Sequence, residues 1–140
     1  MNESLKLALC EMQAELFAHS REKGYASESF IKTFMLSDTA KDLDMPFHHM
    51  QWAGMNYLMS RLEEEHGGEL GVGACYDAET LYWIGYLYRY WHLYTGESSK
   101  EIYKQAPAKK MNVVYLMYHT MSPEMAIDRL KESYREKHKQ

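Results

Sequence analysis

Gly85, Arg89 and His92 have the residue types and the spacing to hold an anion. They stand four and three residues apart, so on a helix they share one side. The glycine leaves a notch among bulky side chains, at a cost of about 1 kcal/mol relative to alanine. A guanidinium and an imidazole beside a notch can receive a carboxylate or a phosphate. The same pattern also serves folding: Gly85 lets a second helix pass closely, and Arg89 pairs with an acid of the chain itself. The internal pair is the expected arrangement, with the anion notch as its alternative.

Two further clusters carry charge. Glu63, Glu64 and Glu65 fall at the C-terminal end of a helical pattern, where the helix dipole gives anions nothing. They are either a solvated helix end or a surface for a basic protein partner. Lys100, Lys104, Lys109 and Lys110 edge a pair of short helical segments, 98–105 and 107–120, that resembles a helix-turn-helix in length. Read that way, the basic C-terminal half would contact nucleic acid. The turn has no glycine, however, and MNVVYLMYHTM is too apolar to read base edges.

Enzyme chemistry finds little support. His48 and His49 are adjacent and would diverge by about 100° on a helix, so they cannot share an ion. The spacings HExxH, HxxxH and CxxC do not occur. There is no GxSxG and no glycine-rich phosphate loop. No catalytic residue, metal or cofactor is therefore expected, and the function anticipated is non-enzymatic.

The elements that must position these residues are helical. Asp77 to Gly96 holds two tryptophans and five tyrosines, with Arg89 as its cation. Leu81, Ile84, Leu87, Tyr88, Trp91 and Tyr94 make a wide apolar arc, and Trp83 is expected in the core. Asp77 suits the N-cap, Glu79 the first turn and Gly96 the C-terminal stop. Upstream, Leu5, Ala8, Leu9, Met12 and Leu16 predict a helix over 3–22, closed by Gly24. Ser27 opens a second, and Ser37 or Asp38 a short third that stops before Pro46. Residues 47–66 follow helical spacing throughout. The next stretch, 67–73, carries four of the eight glycines and is a candidate hinge. Beyond the centre, Ser98 to Glu101 is a capping box, Pro107 starts the next helix, and Ser122-Pro123-Glu124 starts the last, with Met125, Ala126, Leu130 and Tyr134 inward. The fold class is all-α: one domain, 1–140, of about six or seven helices around the aromatic segment.

Composition narrows the classes. The net charge is −4, which argues against a dedicated nucleic-acid binder. It is uneven: residues 1–96 carry seven Lys/Arg against fourteen Asp/Glu, and residues 97–140 nine against six. No apolar run approaches the length of a membrane span, and MNESLKLALCEMQAE lacks the pattern of a signal peptide. Cys10 and Cys75 are isolated, as expected of reduced thiols in a cytoplasmic protein. Twelve tyrosines, eleven methionines and three tryptophans exceed what a core of this size needs, which points to a protein-binding surface.

The segments FIKTFMLSDTAKDLD, QWAGMNYL, ETLYWIGYLYRYWHLYTGESSKEIYKQAP and YHTMSPEMAIDRL resemble a family of small uncharacterised bacterial proteins. The resemblance covers most of the chain from about Phe30 to Leu130. Genes of that family often lie beside toxin-antitoxin-like genes, including ADP-ribosyltransferase-like toxins. What the resemblance implies is a partner-binding role, as an antitoxin or accessory protein, with a basic toxin-like protein as the partner. It implies no catalytic residue, and it leaves the oligomeric state open.

Overall fold

The computed structural model describes residues 2–45 and 53–139. Among them lie eight α-helices: α1 (Glu3–Glu22), α2 (Ser27–Met35), α3 (Asp38–Asp44), α4 (Met55–His66), α5 (Ala78–Thr95), α6 (Ser99–Gln105), α7 (Ala108–Tyr118) and α8 (Pro123–Lys137). The all-α class expected from the sequence is the one observed. The count exceeds six or seven, with α3 and α6 short helices that each carry a serine cap: Ser37 accepts from the Ala40 amide and Ser98 from the Glu101 amide. The Ser98–Glu101 capping box is complete.

The aromatic helix α5 is central. Its longest interface is with α1, and it also meets α6, α7 and α8. At Gly85 the backbones of α5 and α1 pass in close contact. A Cβ built there would lie 2.7 Å from the Gln13 carbonyl oxygen, 2.9 Å from Phe17 Cγ and 3.0 Å from Ala14 Cα. Phe17 then fills the space between α1, α2 and α5, with its ring edge-on to Phe30 at 5.4 Å, Phe34 at 5.5 Å and Tyr88 at 6.1 Å. The buried Tyr88 hydroxyl donates to the Ala106 carbonyl at 2.6 Å, so its one polar atom is satisfied.

Several expectations are corrected. The helix expected over 47–66 begins only at Met55, because Gly54 takes φ 85°, a left-handed conformation that cannot lie inside a right-handed helix. The rest of that expectation, including His48 and His49, lies outside the described residues. Trp83 is half-buried, against Tyr115 at 5.7 Å, whereas Trp91 is fully buried. Tyr94 and Met125, both expected to face inward, are exposed. Tyr94 sits in the last turn of α5, where its hydroxyl donates to Asp128 of α8 at 3.3 Å.

The glycine-rich stretch after α4 is pinned to the α1–α2 turn. Gly67–Glu69 form a 3-10 turn, and Leu70 is buried. The Ala26 amide donates to the Gly71 carbonyl at 2.8 Å, and the Ser27 amide to the Ala74 carbonyl at 3.0 Å. A single isolated bridge joins Tyr25 to Val72.

A second tether closes the C-terminal part. Glu97 follows the αL residue Gly96 and accepts from Trp91 Nε1 at 2.9 Å, Gln105 Nε2 at 2.7 Å and Lys131 Nζ at 2.6 Å. One carboxylate thus joins α5, α6 and α8. Burial alone would raise its carboxyl, but the hydrogen bonds from Lys131, Trp91, Gln105 and Thr95 outweigh burial and hold it down at about 2.

Two outcomes follow from these contacts. Gly85→Ala gains about 1 kcal/mol of helix propensity but drives a methyl into α1 backbone that cannot swing aside. A net loss on the order of 2 kcal/mol is expected in urea unfolding, and an unchanged or raised midpoint would refute the close approach. For Glu97, the folded carboxyl binds its proton more weakly than the unfolded one, whose ordinary value is 4.5. Its contribution, on the order of 2 kcal/mol after allowing for its partial exposure, is full above about pH 4.5 and fades as pH falls toward about 2. Glu97→Gln should therefore flatten the acid limb of the stability curve over that interval.

Candidate functional site

Arg89, the residue of most chemical interest in the sequence, is 1% exposed, and Asp44 beside it is 10% exposed. Arg89 Nη1 donates to Asp44 Oδ1 at 2.7 Å and Nε donates to Gln13 Oε1 at 2.9 Å. Gln13, fully buried on α1, uses its amide nitrogen to donate to the Gly85 carbonyl at 3.1 Å. Asp44, the last residue of α3, also accepts from the Ser99 amide and the Ser99 hydroxyl, each at 2.8 Å. Its carboxylate therefore serves the N-terminus of α6 from another helix. Four helices meet through this group.

No buried side-chain nitrogen or oxygen of the cluster lacks a partner, the condition under which a buried ion pair is tolerated; the longest bond is Arg89 Nη2 to Ser99 Oγ at 3.4 Å. His92 Nδ1 donates to the Glu97 carbonyl at 2.7 Å and stands 3.8 Å from Asp44 Oδ1. Gly85, Arg89 and His92 do lie on one side of α5, but the space beside Gly85 is filled by α1 and the anion facing Arg89 is the Asp44 carboxylate. An external anion could enter only by displacing it.

The three glutamates are not equivalent. Glu63 accepts from the Lys23 ammonium and the Tyr25 hydroxyl, Lys23 being the main reason its carboxyl lies below the usual carboxylate range. The same carboxylate pushes the Tyr25 phenol up to about 12. Glu65 accepts from the Thr39 hydroxyl and from Arg61 Nε, the latter at 3.1 Å. Glu64 alone of the three is exposed. Lys23, from the end of α1, and Arg61, one turn earlier in α4 itself, thus offset two of the three charges at the end of α4.

The four lysines do not form one stripe. Lys100 borders a depression of about 310 Å³ shared with α3, where Lys41 and Asp38 also lie. Lys104 and Lys110 border a different pocket shared with α8, and Lys109 borders neither. Among the described residues there is no group of three or more His, Cys, Asp or Glu that could hold a metal ion. Burial pushes the Cys10 thiol up to about 12, which leaves it protonated and unreactive near neutrality. No described helix is long and apolar enough to cross a membrane.

Sequence reasoning missed Gln13, Asp44 and Ser99 as partners of Arg89. Gln13 had a legible signal: it lies four residues after Leu9 and three before Leu16, on the face α1 turns to the core. A polar residue at such a position requires a buried partner. Asp44 had a weaker one, as an acid at a helix C-terminus.

Arg89→Met should destabilise by about 3–5 kcal/mol, because Asp44 would stay buried without its cation. Adding Asp44→Leu should recover a large part of that loss, which a double-mutant cycle by chemical unfolding measures. Additive losses would show that the two charges are not coupled.

Comparison of this chain with family models, with curated proteins and with solved structures gives no match.

Proposed function

We propose that this protein is a non-enzymatic module that binds another protein through the outer face of α7. The observation carrying this reading is the exposure of three large apolar residues at one helical address. Val113, Leu116 and Met117 are 75%, 79% and 65% exposed and follow i, i+3, i+4 spacing. On its inner side α7 is held by Ala108, Met111 and Val114. Solitary exposed apolar residues are ordinary, but three on one face form a patch of the kind found at docking sites. Covering each side chain fully is worth about 1.5–3 kcal/mol.

The patch lies in the half of the chain that carries net positive charge, with the exposed Lys109 one turn before Val113. The matching partner has an apolar surface rimmed by acidic residues. A second copy docked two-fold on this face would set the basic halves against each other, which disfavours self-association. The sequence pattern favoured an acidic docking surface at Glu63, Glu64 and Glu65, but two of those carboxylates are engaged by Lys23, Tyr25, Thr39 and Arg61. The family resemblance adds a setting: the partner would be a small protein encoded nearby, in a toxin-antitoxin-like pair.

A photocrosslinking residue placed at 116, and separately at 64, tests this in the native cell. The expected result is one adduct of defined mass from position 116 and none from position 64. Leu116→Glu should weaken binding of the identified protein at least tenfold and leave the melting midpoint unchanged, since position 116 touches solvent. An adduct of twice the chain mass would assign the face to self-association. Capture of nucleic acid instead would overturn the reading.

A further inference from the structure

We infer that the pocket between the α6–α7 corner and the end of α8 binds a small phosphomonoester. This cavity of about 240 Å³ is bordered by Lys104, Lys110 and Lys137, by His138, and by the apolar surfaces of Pro107 and Tyr134. No carboxylate lines it. Elsewhere in the fold, cations near the core meet acids: Arg89 meets Asp44, Arg61 meets Asp42 and Glu65, Lys23 meets Glu63, and Lys131 meets Glu97. At this pocket three lysines share one cavity lining, two of them exposed. Among the described residues Lys104 and Lys137 meet no acid, and Lys110 donates to the neutral Ser133 hydroxyl at 2.9 Å.

Three lysine side chains border one small cavity with no acid in its lining, and the C-terminal end of α8 offsets only about half a charge. A dianion offsets their charge more than a monoanion can. A phosphomonoester carries about −1.5 to −2 at neutral pH and three acceptor oxygens, which matches three ammonium donors. His138 borders the cavity without supplying a donor: its Nδ1 donates to the Tyr134 carbonyl at 2.8 Å and its ring stacks on Tyr134 at 4.0 Å, so the donors come from the lysines. The cavity lies below the range of about 300–1,000 Å³ typical of drug-sized ligands, so it suits a phosphate group on a short body.

The test uses the whole protein with glycerol phosphate and inorganic phosphate as probes, against chloride at matched ionic strength. Both phosphates should raise the melting midpoint by mass action, and chloride should not. Lys104→Gln with Lys137→Gln should weaken the measured affinity at least tenfold. Lys100→Gln with Lys109→Gln removes the same charge outside the pocket and should leave affinity within about twofold. All four lysines are exposed, so both double variants should melt like the parent without ligand. Failure of either phosphate to shift the midpoint would overturn the assignment. Equal weakening by the two double variants would also overturn it, in favour of a diffuse basic surface of the kind that binds nucleic-acid backbones.

Discussion

The pairing of Arg89 with Asp44 is the constraint on which the helix arrangement depends. A guanidinium with 1% exposure is tolerable only where its donors are met, and each acceptor comes from a different helix: Gln13 from α1, Asp44 from α3 and Ser99 from α6. The group fixes where α3 ends and α6 begins, because the same carboxylate holds the first amide of α6. Apolar packing between α1 and α5 is nondirectional and would tolerate sliding. The Gln13 side chain, bonded at once to Arg89 and to the Gly85 carbonyl, sets their register. Gly85 makes that geometry reachable by letting the α1 backbone come close enough.

The same economy governs the charged surface. The acids that looked available in the sequence are largely engaged within the fold. Glu63 fastens α4 to the α1–α2 turn through Lys23 and Tyr25, Glu65 reaches Thr39 at the start of α3, and Glu97 gathers three helices around Trp91. Net charge along the chain is therefore a poor guide to where charge is offered to solvent. Lys104, Lys110 and Lys137 share the lining of one pocket beside the end of α8 that holds no carboxylate.

Local signals proved legible and tertiary ones did not. Caps and breakers placed α3, α6, α8 and the C-terminal end of α5 correctly, because a serine hydroxyl or an αL glycine acts within four residues of itself; Ser27 and Asp77 stand at the starts of α2 and α5 without a side-chain cap bond. The Gly54 start of α4 escaped notice, since apolar spacing continued across it and spacing carries no information about φ. Trp83 and Tyr94 were misplaced for another reason. A helix as aromatic as α5 has no polar face to show which side is covered, so the outcome rests on which neighbours reach it. The partners of Arg89 come from positions 13, 44 and 99, and no local pattern links them. Only the buried polar position of Gln13 hinted at the arrangement.

The outer face of α7 stands apart from this logic. Ala108, Met111 and Val114 recur every third residue and make one inner stripe, and Trp83 against Tyr115 closes its flank. That stripe seats the helix. Polar residues at 113, 116 and 117 would fold as well, because an exposed helix position gains nothing from a large apolar side chain and risks aggregation. Folding therefore accounts for the inner side of α7 and leaves Val113, Leu116 and Met117 without a role. A face held rigidly from behind and apolar in front needs no rearrangement to dock, so little ordering entropy opposes association there.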